Sequence, residues 1–266
     1  MGVIDLQKKR AGLFFIVCAA ALVGAVALRA VLIRYDIDPA TGFYTGGGGL
    51  AVALNLLLVA ATLFLLAPMF LRRFRGGEPR LPAARPHGVL AGLVAAALLG
   101  ETVYQFRLLV TARTAGNLFI SMAAVLAADS FAGRSRPLPV LALFPAIWAA
   151  VHLAVSFMHY TTIASVSEYM YDMMKMMFDM IFLYYYARCA GRVPNEKEAA
   201  GMLAFGLPAV LFTGVSTLPR YMAWLMGQHA VSLPVPEDLL YLLLAGYILY
   251  ALTRLRSASG AAPAES

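Results

Sequence analysis

Residues 49–71 read GLAVALNLLLVAATLFLLAPMFL, a stretch without a charged side chain. A helix that crosses the hydrocarbon core of a bilayer needs about 20 mainly apolar residues, so this stretch predicts a transmembrane helix. Arg72, Arg73 and Arg75 follow it directly. Basic residues collect at the cytoplasmic ends of membrane-crossing segments, and these arginines therefore predict that the helix ends in the cytoplasm.

The same pattern, an apolar block followed by a short connector rich in charge, glycine or proline, recurs along the chain. The 266 residues are 61% hydrophobic and 13% charged, whereas soluble domains contain about 25% charged residues. We expect an all-α, polytopic helix bundle that forms one transmembrane domain over residues 1–256, with a disordered tail at 257–266. Eight apolar segments are long enough to cross or nearly cross a membrane: 11–33, 49–71, 87–109, 115–132, 138–160, 166–190, 198–218 and 237–255.

The connectors predict an orientation for these segments. If all eight cross, fifteen basic residues fall on one side, and the other side holds only Arg34, Arg107, Arg113 and Arg220. The positive-inside rule then places both termini in the cytoplasm of a multi-pass protein in a bacterial-type cytoplasmic membrane. Basic residues at the ends of apolar blocks also argue against nucleic-acid binding. An alternative is that the first segment is a signal peptide cleaved near residues 25–27, which would leave seven spans.

The sixth segment contains an unusual stripe of charge. Glu168, Asp172, Lys175 and Asp179 are spaced i, i+4, i+7 and i+11, which puts them on one side of a helix. An ionised group at the centre of a membrane-inserted helix costs about 3 kcal/mol, so this stripe should face protein or water. Lys175 can pair with Asp172 and with Asp179. Two interpretations stay open: a salt-bridge ladder that holds the bundle, with Glu168 capping the helix, or the polar lining of a cavity for a solute or proton.

Other segments place polar residues at a similar depth. The third contains Glu101 and Tyr104, and the fifth contains His152. Arg29 and Arg107 lie near the outer ends of the first and third segments, where each either extends to the interface or pairs with the acids. Most charged and titratable residues in the spans fall in their outer half or near the middle, and Asp129, near the cytoplasmic end, is the exception. The sequence therefore predicts a polar cavity open to the outside.

The first outer loop is the second distinctive feature of the chain. Tyr35, Asp36, Asp38, Phe43 and Tyr44 lie in a turn-rich segment that is followed by four glycines. The aromatic residues can anchor the loop at the membrane interface. Alternatively, the loop is a lid over the outer cavity, hinged at the glycines.

The function has to be inferred from these features, because the motifs of the common enzyme classes are absent from the sequence. There is no H-E-x-x-H, G-x-S-x-G, Walker A or G-x-G-x-x-G motif. Cys18 and Cys189 imply neither a disulfide framework nor a zinc site. We therefore expect no metal and no cofactor, and a role other than catalysis is favoured.

The leading prediction is movement of a small polar or ionic solute, by a transporter or a permease subunit coupled to protons. One alternative is a ligand-binding membrane sensor or accessory protein that acts through a partner. Another is an intramembrane enzyme of unspecified reaction. The expected partners are the lipid bilayer, a solute or proton, and a partner subunit or a second copy of the chain.

Overall fold

A computed structural model describes residues 2–36, 48–70, 85–112, 115–132, 141–160, 167–190, 198–227 and 236–258. This part of the chain contains eight α-helices and no β-strand, which confirms the predicted all-α class. The helices are α1 (Gly2–Tyr35), α2 (Gly49–Phe70), α3 (Arg85–Ala112), α4 (Ala115–Ala132), α5 (Phe144–Tyr160), α6 (Ser167–Ala190), α7 (Glu198–Leu225) and α8 (Pro236–Ala258).

Each helix corresponds to one predicted apolar segment, and the differences lie at the ends. A short 3₁₀-helix, Leu141–Leu143, precedes α5 where the sequence predicted continuous helix. Helix α7 continues beyond the predicted end at 218 to Leu225, with Pro208 and Pro219 inside it. A proline removes one backbone N–H, and a packed membrane helix tolerates this because neighbouring groups satisfy the freed carbonyl. Helix α8 includes the first two residues of the predicted tail, and 259–266 lie outside the described residues.

Four helices contain a segment that is long and apolar enough to cross a membrane. The segments are Gly12–Tyr35, Gly49–Phe70, Gly88–Leu109 and Glu198–Leu225. Shorter apolar segments lie in α4 and α5, and charged residues lower the hydropathy of α6 and α8. Large apolar side chains, such as Ile16, Val23, Leu56 and Leu63, are exposed on α1 and α2. A continuous exposed apolar surface is typical of a protein that lies in lipid.

Helix packing produces a closed ring. Helices α3, α4, α5, α6, α7 and α8 contact one another in that order, and α8 returns to contact α3. Helices α1 and α2 contact each other and pack on α7 from outside the ring. Most residues of α7 are consequently buried, and the exposed ones lie near its C-terminal end. Polar side chains that point into this ring are shielded from lipid by its own helices.

Candidate functional site

A network of four buried charged side chains joins α6, α7 and α8. The Arg220 guanidinium donates from Nη1 to both oxygens of Asp238, at 2.8 and 3.0 Å, and from Nη2 to Asp172 Oδ2 at 2.9 Å. Lys175 Nζ lies 3.1 Å from Asp172 Oδ1 and 4.0 Å from Asp238 Oδ1. All four residues are buried. The network contains equal numbers of acids and bases, which is the condition for holding such charges away from water.

A second cluster combines acids with a histidine. One potential metal-ligand atom each from Glu101 on α3, His152 on α5 and Glu237 on α8 lies within 4.8 Å of the other two. His152 Nε2 is 3.5 Å from Glu237 Oε1, and His152 Nδ1 is 3.1 Å from the Tyr241 hydroxyl. Gln105 Nε2, one turn beyond Glu101, donates to Glu101 Oε1. Glu101 and His152 are buried, whereas the Glu237 side chain is 18% exposed.

Tyr241 connects the two clusters. The ammonium of Lys175 lies 4.2 Å from the centroid of its ring, a distance typical of a cation–π contact. The hydroxyl of Tyr241 bonds to His152 Nδ1. His152 on α5 and Lys175 on α6 both reach a residue of α8, although neither helix is its neighbour in the ring. Their side chains therefore meet in the interior of the ring.

The antiparallel order of the helices explains why these residues share one end of the bundle. Glu101 and Arg220 lie in the C-terminal halves of α3 and α7, and His152 lies at the middle of α5. Asp172 and Glu237 lie in the first two turns of α6 and α8. Consecutive helices run in opposite directions, so late residues of α3 and α7 lie level with early residues of α6 and α8.

Asp179 differs from the prediction. Its carboxyl group is 1% exposed and makes no hydrogen bond within the described part of the chain. Of the two partners predicted for Lys175, the structure shows Asp172; the ammonium also lies 4.0 Å from Asp238, and no hydrogen bond joins it to Asp179. Asp172 and Asp238 lie nearer the end of the bundle, where Arg220 completes the network. Asp179 lies one turn beyond Lys175 along α6, about 6 Å by helix rise, and about two turns beyond Asp172.

The other predicted cations lie elsewhere. Arg29 is buried and its guanidinium lies 4.5 Å from the ring centroid of Tyr171, whose hydroxyl donates to Asn55 Oδ1 at 2.6 Å. The Arg29 side chain is therefore packed inside the bundle and does not extend to the interface. Arg107 is exposed on α3, and Tyr104 is half-buried. The cation that contacts Asp172 from another helix is Arg220.

The remaining predicted residues lie at or beyond the edge of the described structure. Glu168 is in the first turn of α6, and its side chain lies outside the described part. Tyr35 ends α1 and is exposed, and the backbone N–H of Asp36 donates to Leu32 O at 2.9 Å. Asp38, Phe43 and Tyr44 lie outside the described residues. The lid therefore stays a prediction.

Sequence reasoning missed three residues of the site, Glu237, Asp238 and Tyr241. Two acids directly after Pro236 are typical of a helix start, where they interact favourably with the backbone dipole. This local role is sufficient to explain the two acids, so the sequence did not indicate that Asp238 contacts Arg220 and Glu237 contacts His152. The spacing of Glu237, Asp238 and Tyr241 along one side of a helix was the available signal.

The opposite end of the bundle contains another ion pair. Arg188 Nε of α6 lies 3.6 Å from Glu198 Oε1 of α7. Glu198 is buried, whereas the Arg188 side chain is 25% exposed. This pair offers a buried carboxylate for comparison with the site, because it lies at the other end of the same helices.

No protein-family model, curated protein or solved structure matches this chain. The two clusters define the chemistry that is available at the site. Together they offer carboxylates, an imidazole, a phenol, an ammonium and a guanidinium within one interior space. Such a set can bind charged or polar groups and can transfer protons.

Proposed function

We propose that all eight helices cross a bacterial-type cytoplasmic membrane with both termini in the cytoplasm, and that the ring moves a small polar or ionic solute across it. Charged residues of α6 and α8 face the ring interior, which supports a lipid-compatible exterior for these two helices. The asymmetric distribution of basic residues supports the orientation. The two clusters then lie toward the outer face.

One observation carries the proposal: ionisable side chains from five ring helices meet in the interior at one end of the bundle. Each of these groups is costly to bury in a membrane protein, and such residues commonly line substrate or ion pathways. Three kinds of contact hold them: the ion pairs of Arg220, the cation–π contact of Lys175 and the His152–Tyr241 bond.

The order of groups along α6 suggests how a solute would pass. Asp172 and Lys175 form the outer site. A solute that has both a positive and a negative group can compete there, with Arg220 for Asp172 and with Asp238 for Lys175. Asp179 lies one turn beyond Lys175 and about two turns beyond Asp172, without a hydrogen-bond partner in the described residues. An unpaired carboxylate in this position is costly, so we assign it the role of proton carrier.

Reconstituted proteoliposomes test the transport proposal. The probes are zwitterionic amino acids, dicarboxylates, inorganic phosphate and monovalent and divalent cations, each added outside vesicles that contain a pH-sensitive dye. We expect at least one class to drive a proton flux that Asp172→Asn and Asp179→Asn abolish. Asp129→Asn is the matched control, because this acid is exposed on α4. Correctly folded protein that moves no member of the panel, or variants that keep the wild-type flux, would contradict the proposal.

Thiol labelling tests the orientation in a background from which Cys18 and Cys189 have been removed. Both native cysteines are buried. A membrane-impermeant thiol reagent added outside intact cells should label Glu237→Cys, whose side chain position is partly exposed, and should leave Asp179→Cys unlabelled. Labelling of position 237 only after the cells are opened would reverse the orientation.

A second candidate function, intramembrane catalysis, is favoured by one contact set. His152 touches a carboxylate through Nε2 and a phenol through Nδ1, an arrangement suited to general acid–base chemistry. Transport moves the solute unchanged into the vesicles, whereas catalysis leaves a chemically altered solute outside them. Catalysis would be supported if the wild-type protein alters a solute chemically and His152→Gln does not. The solute should then not accumulate inside the vesicles.

A further inference from the structure

We propose that Glu101, His152 and Glu237 form a binding site for a divalent transition-metal ion of the zinc class. Ligand atoms from the three residues already lie within 4.8 Å of one another. The proposal does not depend on solute transport, since a metal can be structural, catalytic or transported. No metal site was predicted from the sequence, because Glu237 was not among the candidate residues. This residue lies on α8, distant in sequence from Glu101 and His152.

The donor set determines the class of ion. It comprises one imidazole nitrogen and two carboxylates. Imidazole nitrogen and carboxylate oxygen are both zinc ligands, and zinc sites that carry out chemistry have three protein ligands with a fourth position left for water or substrate. Calcium and magnesium prefer oxygen ligands only, so the imidazole disfavours both. The absence of a thiolate disfavours copper in its reduced state.

The surrounding hydrogen bonds orient two of the three ligands. The Tyr241 hydroxyl bonds to His152 Nδ1, which leaves Nε2 for a metal, and Nε2 is the atom nearest to Glu237. Gln105 donates to Glu101 Oε1. Outer partners of this kind fix the orientation of metal ligands and are common in zinc sites.

An unsatisfied atom provides independent support. Glu101 is only 2% exposed, and its Oε2 atom is buried without a hydrogen-bond partner among the described residues. A buried acceptor in this condition is costly, and an ion that it coordinates would remove the cost. Lys175 does not donate to this atom, and its ammonium contacts Asp172, Asp238 and the ring of Tyr241.

Small side-chain movements would close the site. Metal–ligand bonds of about 2.0–2.2 Å in a tetrahedral zinc site place the ligand atoms about 3.4 Å apart. His152 Nε2 and Glu237 Oε1 are 3.5 Å apart and need almost no movement. The largest separation in the set is within 4.8 Å, and rotation of the Glu101 side chain can reduce it. The partly exposed Glu237 gives an ion access from the end of the bundle.

Metal binding to the purified full-length chain tests the proposal. The protein in detergent or nanodiscs is stripped with a chelator and dialysed against Zn²⁺, and bound metal is measured by mass spectrometry. Co²⁺ binding gives a d–d absorption spectrum that reports nitrogen and oxygen ligation. We expect one Zn²⁺ per chain, retained in a large excess of Mg²⁺ and Ca²⁺. Wild-type protein that binds no Zn²⁺ would overturn the proposal.

Variants identify the ligands and separate binding from folding. Glu237→Gln keeps the size of a partly exposed side chain and should weaken Zn²⁺ binding by a factor of about ten or more, as should the orienting variant Tyr241→Phe. Glu198→Gln, a buried carboxylate at the opposite end, should bind as the wild type does. The thermal midpoint without metal shows whether each variant folds. Equal Zn²⁺ affinity in folded Glu237→Gln and wild type would also overturn the proposal.

Discussion

Replacing Arg220 with methionine removes the residue that joins three helices at the site. The arginine makes three hydrogen bonds to carboxylates, two to Asp238 and one to Asp172, at 2.8, 3.0 and 2.9 Å. Methionine keeps much of the apolar side-chain volume and removes the charge. Asp172 and Asp238 would then share Lys175 as their cation, and one negative charge in the network would have no counterion.

The expected cost follows from the burial of the partners. Side-chain exposure is 6% for Arg220, 8% for Asp172 and 1% for Asp238, so solvent screens these charges little. Removing one partner from a buried ion pair costs about 3–5 kcal/mol, since the other charge remains buried. Asp238→Asn should cost a similar amount, because it leaves an excess positive charge instead. The double variant leaves one balanced pair, Asp172 with Lys175, and should cost about 2 kcal/mol less than the sum of the two.

The free energy of unfolding in micelles, measured by titration with a denaturing detergent, tests this calculation. Arg34→Met is the control, since Arg34 lies exposed at the end of α1 and contacts the exposed ring of Tyr35 at 5.8 Å. We expect it to change stability by less than about 1 kcal/mol. Additive effects of Arg220→Met and Asp238→Asn, within about 0.5 kcal/mol, would refute the network argument.

Two further stability predictions concern packing and a buried hydrogen bond. A Cβ at Gly206 would lie 2.8 Å from Phe182 Cδ2, so Gly206→Ala should destabilise the protein by about 1–3 kcal/mol. Gly246→Ala is the control, because a Cβ there meets no atom within 4 Å and should not destabilise the protein. Equal effects of the two variants in the same unfolding titration would contradict the packing. Tyr171→Phe should cost about 1 kcal/mol by leaving Asn55 without its donor. An unchanged unfolding free energy for Tyr171→Phe would show that water replaces the donor.

The helices could be predicted because the information that forms them is local. An apolar block of sufficient length specifies a membrane helix whatever its neighbours are, and the observed bounds differ from the predicted ones mainly at helix ends. The Asp172–Lys175 pair was predictable for the same reason, since three residues separate the partners on one helix. The spacing of Lys175 and Asp179 is equally favourable within one helix. Contacts from α7 and α8 determine that the lysine bonds to Asp172.

The membership of the site was decided by tertiary structure. The sequence determined that α6 is a helix whose charges cannot face lipid, because ionised groups are costly there. It did not determine that Arg220, rather than Arg29 or Arg107, would meet Asp172, or that Glu237 would lie beside His152. Which membrane helices become neighbours depends on close packing and interhelical hydrogen bonds summed over whole helix faces. Those contacts join residues far apart in the chain, and no local pattern of the sequence specifies them.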